Sequence, residues 1–93
     1  MEDFNKLIER SYLAIKERGL IKNDTIESEF YLKMKEELLE ICNSFLESKE
    51  RYIEECIDLA TVCLMQVYHL GFDVSEQFIK VIEKNEKRAN KLQ

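Results

Sequence analysis

The chain has 93 residues, 45% of them apolar, with no Pro, two Gly and a formal net charge of −5; its length and its lack of a polar low-complexity stretch exclude a second domain and a flexible linker. Lys and Arg are scattered rather than gathered into a stripe, so the electrostatic footprint of a phosphate-backbone grip is missing and nucleic acid is not expected as a partner. Acidity does not exclude a free phosphate substrate, because divalent cations held by carboxylates neutralise a triphosphate.

No stretch shows sustained alternation of period 2, and helical spacing predicts four α-helices in a single all-α domain over residues 1–93. The first, near Phe4 to Arg18, brings Phe4, Leu7, Ile8, Tyr12 and Ile15 to helical spacing and stops at Gly19. After a connector from Leu20 to Asp24, either Asp24 or Thr25 is expected to cap a second helix running to about Glu47. Its apolar face reads as Phe30, Met34, Leu38, Ile41 and Phe45, with Glu37 at the margin and Glu40 beside it. Polar punctuation around Glu47 to Glu50 separates it from a third helix, near Arg51 to Leu70, which ends at Gly71. Asp73 or Ser75 then caps a fourth helix to about Lys91, with Phe78, Val81 and Ile82 facing inward and lysines in the last turns, where they suit the helix dipole.

The third helix is apolar on every side from Cys56 to Leu70, and such a helix must be buried all round. Three short neighbours from one chain cover about two of its sides, which leaves another for a second copy; a homo-oligomer, dimer or tetramer, is therefore expected. Small domains also often need a partner subunit to complete a core. Tyr68, Met65 and Val62 read as packing residues.

Cys42, Cys56 and Cys63 lack CxxC spacing and lie in or beside apolar faces, so they read as small hydrophobes; together with the single His69 they do not make a zinc site. Met1 is followed by Glu2 and Asp3 rather than by a basic and then an apolar run, so no signal peptide is expected, the cytoplasm is the default location and no membrane is expected as a partner.

Asp58 stands inside the apolar run, where an ionised carboxylate is costly unless paired or bound to metal. Glu55, three residues earlier, shares its ridge, and Glu37 and Glu40 repeat that spacing on the preceding helix. Two helices joined by a short connection pack antiparallel, so the four carboxylates can share one pocket. Left bare, the cluster repels itself and raises its own pKa values; a hard divalent cation relieves this, and oxygen ligands without His select Mg²⁺ or Mn²⁺ over zinc. Such a centre can polarise a phosphoryl group. The ExxE spacings at Glu47/Glu50 and Glu83/Glu86 read as solvated surface, whereas ExxD occurs only at Glu55/Asp58. The competing reading of Asp58 is a buried salt bridge to Lys or Arg. His69 falls on the same stripe as Asp58 but about 16 Å along the helix, too far to share a cation, and reads as a helix C-terminal residue.

Lys35-Glu-Glu-Leu-Leu-Glu40 followed by Glu54-Glu-Cys-Ile-Asp-Leu-Ala60 resembles the EExxE and ExxD signature of the MazG-like all-α nucleoside triphosphate pyrophosphohydrolases. His69-Leu-Gly-Phe-Asp73, Glu83-Lys-Asn-Glu-Lys-Arg88 and Lys16-Glu-Arg-Gly-Leu20 extend the similarity over most of the chain. The resemblance implies a four-helix MazG-like bundle assembled as a homodimer or homotetramer. It also implies hydrolysis between the α- and β-phosphates of an NTP or dNTP, giving the monophosphate and pyrophosphate. Glu37, Glu40, Glu55 and Asp58 would be the metal-binding and catalytic residues, and Asn85, Lys84 and Arg88 would contact the nucleotide. The chain departs from many members in having no Trp; Phe4, Tyr12, Phe30 and Tyr31 are the candidates for stacking a base, at least two of them more simply read as core or boundary aromatics. Lys49 and Arg51 are the basic residues expected on the phosphate side. Two other readings keep the scaffold: a non-catalytic assembly or regulatory module whose acids form salt bridges or hold a structural cation, and a hydrolase of a different phosphoanhydride.

Overall fold

A computed structural model describes residues 3–91. Met1 and Glu2, on which the leader expectation rests, lie outside the described residues. The described residues form four α-helices and no strand: α1 Phe4–Glu17, α2 Glu27–Ser44, α3 Lys49–His69 and α4 Val74–Lys91. No helix among them is long and apolar enough to cross a membrane.

Local chemistry sets the boundaries. Asp3 accepts the Lys6 N–H at 2.9 Å, Ser48 accepts the Arg51 N–H at 3.1 Å and Asp73 accepts the Glu76 N–H at 2.9 Å, capping α1, α3 and α4. Gly19 and Gly71, at φ 79° and 90°, end α1 and α3 in the left-handed region. At each, the glycine N–H and the next N–H reach back into the last turn (Gly19 to Lys16 and Leu20 to Ile15; Gly71 to Tyr68 and Phe72 to Val67), the Schellman arrangement. The α2 start differs from expectation. Neither Asp24 nor Thr25 caps it: Thr25 Oγ1 accepts the Lys22 N–H at 2.8 Å to fold the connector, and the Ile26 N–H goes instead to the Glu29 carboxylate at 2.8 Å. The helix also ends at Ser44, short of the expected Glu47.

The short 45–48 connection makes α2 and α3 an antiparallel hairpin. Ring contacts fix its register at both ends, Phe45 on Tyr52 at 5.8 Å beside the turn and Phe30 on His69 at 5.3 Å at the far end. The buried seam of α2 is Phe30, Glu37 and Ser44, with Met34 and Ile41 half-buried between them. This corrects the expected face: Leu38 is 53% and Phe45 70% exposed, and Glu37 is on the seam rather than at its margin. The seam follows the alternating 4-3 spacing that keeps one stripe against a helical neighbour.

α1 packs on the C-terminal half of α3, and the core consists of Ile8, Tyr12, Phe30, Met65, Val74 and, from the connector, Ile21. His69 ties these pieces together. Its Nε2 lies 2.7 Å from the Thr25 carbonyl, which only accepts, so Nε2 carries the proton and Nδ1 accepts the Tyr12 hydroxyl at 2.7 Å. Asn5 joins α1 to the start of α4 by donating to the Asp73 carboxylate and accepting the Ser75 N–H, each at 3.2 Å.

The architecture is open rather than a closed four-helix bundle. α4 packs on α1 and α3 but not on α2, and only Val74 of its residues is buried. The expected inner residues Phe78, Val81 and Ile82 are 52%, 44% and 41% exposed, although Phe78 meets the Phe4 ring at 6.0 Å. Within one chain α3 keeps an uncovered side, as its neighbours' number suggested: Glu55 and Met65 are buried, while Ile57 and Cys63 are exposed. The radius of gyration, 15.3 Å, exceeds the roughly 12 Å of a compact chain of this length.

Candidate metal centre

Midway along the hairpin, one carboxylate oxygen from each of Glu37, Glu55 and Asp58 lies within 4.8 Å of the others. Glu40, exposed on α2, stands near enough to Glu55 to raise its carboxyl but is not one of the three clustered acids. The expectation is corrected in one respect. Asp58 is exposed, and the charges set against apolar surroundings are Glu55, 2% accessible, and Glu37, 7%. The reason is the uncovered flank of α3, which gives Asp58 access to water. No Lys or Arg among the described residues forms an ion pair with Asp58, so the salt-bridge alternative fails there.

The two buried acids are each half-satisfied. Lys33 Nζ lies 3.4 Å from one oxygen of Glu37, and Arg51 lies 3.0 Å from one oxygen of Glu55. The other oxygen of each, Oε2, is buried without a hydrogen-bond partner. Such groups are uncommon in folded proteins and call for a ligand or an explanation. Burial raises the Glu55 carboxyl above its ordinary value; the neighbouring carboxylates of Glu40 and Asp58 act in the same direction, against the pull of Arg51. Burial alone would lower Lys33, but its hydrogen bonds to Glu36 and Glu37 outweigh it and hold the ammonium above its ordinary value. The donors are all hard oxygens, which fits Mg²⁺ or Mn²⁺. The three thiols take no part in the cluster.

Glu37 and Asp58 also belong to the wall of a cavity of about 510 Å³ between α1, the 18–26 connector, α2 and α3. Ile15, Ile21, Phe30, Val62 and Met65 give it an apolar side; Arg18, Lys33, Thr25 and Thr61 give it polar groups. Glu29 and Glu36 also line it, and an apolar side facing convergent polar groups is the usual form of a small-molecule site.

Lys84, Asn85 and Arg88 are exposed on α4, and none lines this cavity; Lys84 and Arg88 instead border a separate shallow groove with Lys80, Lys87 and Lys91. One chain therefore brings Glu37, Glu55 and Asp58 together and leaves the α4 residues apart. Of the candidate stacking aromatics, Tyr12 is buried against Tyr68 at 4.7 Å, Phe4 rests on Phe78, Tyr31 lies exposed under Lys35, and only Phe30 lines the cavity. Of the basic residues expected on the phosphate side, Arg51 is held by Glu55 and Lys49 is exposed. Sequence reading missed Lys33, Arg18 and Thr61. Lys33 carried a signal, since it precedes Glu37 by four residues just as Arg51 precedes Glu55. No family model, curated protein or solved structure matches the chain significantly.

Proposed function

We propose that this chain is a Mg²⁺-dependent nucleoside triphosphate pyrophosphohydrolase of the MazG-like all-α kind, acting as a homodimer or homotetramer on an NTP or dNTP. The observation that carries the reading is the pair of buried, partnerless oxygens, Glu37 Oε2 and Glu55 Oε2, in one cluster with Asp58; the EExxE and ExxD resemblance supplies the reaction. Glu37, Glu55 and Asp58, with Glu40 at the rim, would hold Mg²⁺ or Mn²⁺. When bound, the cation supplies charge neutralisation and polarisation of phosphoryl oxygens.

The chain's own residues do the rest. Lys33 and Arg51 each occupy one oxygen of a buried acid and leave the second without a hydrogen-bond partner. Phe30, Ile21 and Met65 form the dry wall against which a base can lie, and Arg18 and Thr61 offer polar contacts. In this reading Lys84, Asn85 and Arg88 meet the nucleotide from a neighbouring copy, because α4 does not border the cavity of its own chain.

The ion pairs Lys33–Glu37 and Arg51–Glu55 favour a second reading, a non-catalytic helical module whose acids serve structure. Two measurements separate the readings. In a panel of nucleoside triphosphates with Mg²⁺, the wild type is expected to release pyrophosphate and monophosphate, and Asp58→Ala to lose that activity. Equal inertness of both proteins, with no cation binding that depends on Asp58, overturns the enzyme reading in favour of the module. Cation binding without turnover of any triphosphate points to another phosphoanhydride.

A further inference from the structure

We propose that Arg18 holds the α-phosphoryl group of the nucleotide, the phosphate that stays with the sugar when pyrophosphate leaves. The assignment rests on reading Glu37, Glu55 and Asp58 as a cation site for a nucleotide, and it brings in a residue from a third element, the end of α1.

Partnership singles Arg18 out. Two cationic side chains line the cavity beside the acids, Arg18 and Lys33. Lys33 is engaged, 3.3 Å from Glu36 and 3.4 Å from Glu37. The Arg18 side chain forms no ion pair or hydrogen bond among the described residues, although four acids share its cavity. One of them, Glu29, is turned to the Ile26 N–H at 2.8 Å, and Thr61 on the same wall gives its hydroxyl proton to the Ile57 carbonyl at 2.8 Å. Arg18 is therefore the cation left for an anion that enters, and its planar fork suits two oxygens of one phosphate.

Register says which phosphate. α1 runs antiparallel to α3, since Asn5 meets Asp73 while Tyr12 meets Tyr68 and His69. Between Tyr12 and Arg18 the chain advances about 9 Å, which brings Arg18 level with Val62, another residue of the cavity wall. Asp58 lies about 6 Å from that level towards the start of α3. Met65 lies the opposite way, and so does Phe30, whose ring is 5.3 Å from that of His69. Arg18 thus stands between the apolar wall on which a base rests and the acids that hold the cation. In a nucleoside triphosphate the α-phosphate occupies that place. Diffuse positive charge would act on any chain of phosphates, whereas a contact at this level acts on a phosphate attached to a nucleoside.

Calorimetric titration of the whole chain in Mg²⁺, with the common nucleoside monophosphates and inorganic tripolyphosphate as probes, tests the contact. R18Q is expected to bind the monophosphate roughly tenfold or more weakly than the wild type, and to bind tripolyphosphate nearly as well. R18K should recover only part of the loss, because an ammonium lacks the paired donors. K22Q removes an exposed cation of the same connector that does not line the cavity, and both affinities should be unchanged. In turnover, kcat/KM of R18Q should fall by a similar factor, carried by KM. Circular dichroism should show wild-type helix content in each variant. Equal monophosphate affinity in R18Q and the wild type, a parallel loss of tripolyphosphate affinity, or the same loss in K22Q overturns the assignment; hydrolysis that persists in that case leaves the enzyme reading standing. A wild type that binds monophosphate through Arg18 but hydrolyses no triphosphate overturns the enzyme reading alone. One that neither binds nor hydrolyses any nucleotide overturns both.

Discussion

Glu55 has one oxygen on Arg51 and the other on nothing, and this asymmetry makes it the most informative single residue. Glu55→Gln removes a charge and adds an N–H donor to a cluster rich in acceptors. The cation-free variant is expected to melt at a higher temperature than the wild type, and added Mg²⁺ to stabilise it far less. Its cation affinity should fall by at least the roughly 10–100-fold that loss of an outer-sphere partner costs at metal sites. The pH dependence has a definite sign. The folded carboxyl holds its proton more tightly than the unfolded one, near 4.5; stability without cation is therefore greatest below that value and falls as pH rises through the folded one. Thermal melts across pH should show this fall in the wild type and a flatter profile in Glu55→Gln. The meeting of Glu37 with Glu55 and Asp58 was legible from spacing, because residues three apart share a helix ridge and a short connection sets the two helices antiparallel. Which of them are buried was not legible, since an apolar run says nothing about which of its sides the same chain covers; Asp58 lies on the open side and Glu55 on the covered one.

At the scale of elements, the glycine at the end of α3 sets the chain direction into α4. A Cβ at Gly71 would meet nothing within 4 Å, so the cost of Gly71→Ala is conformational alone. Denaturant titration should show a loss of about 1–2 kcal/mol, the strain of an L-residue held left-handed. The Asp73 cap makes an opposite prediction for acid. Its bond to the Glu76 N–H, with help from Asn5, holds the carboxyl below its ordinary 3.8, so its contribution is complete above that value and is lost as pH falls through the lowered one. Asp73→Asn should differ from the wild type in melting temperature near neutral pH, and the difference should shrink in strong acid. The helix count and most ends were legible because glycines and capping side chains act locally. The seam of α2 was not. Leu38 and Phe45 continue the spacing from Phe30 as well as Glu37 and Ser44 do, and apolarity favours the first pair; the hairpin buries the second pair and leaves the first at the surface. Periodicity finds a stripe, but cannot say whether the chain or another molecule will cover it.

The molecule as a whole is a hairpin with one helix well packed on α3 and another held mainly by its first turn. An all-α class of four helices was legible, whereas the burial of the apolar residues of α4 was not, because the single chain does not enclose the interior their spacing suggests. If a second copy supplies that interior, the melting temperature should rise with protein concentration, a dependence a monomer lacks. The hairpin has a further consequence, for the order of events in folding. Contacts between α2 and α3 dominate the tertiary structure and link segments close in sequence, so they are expected to form early. The seam they form contains Glu37 and Glu55, which means carboxylate repulsion is met on the way up the barrier rather than after it. Stopped-flow refolding should then accelerate with Mg²⁺ while the unfolding rate changes little, and Glu55→Gln should refold fast without any cation.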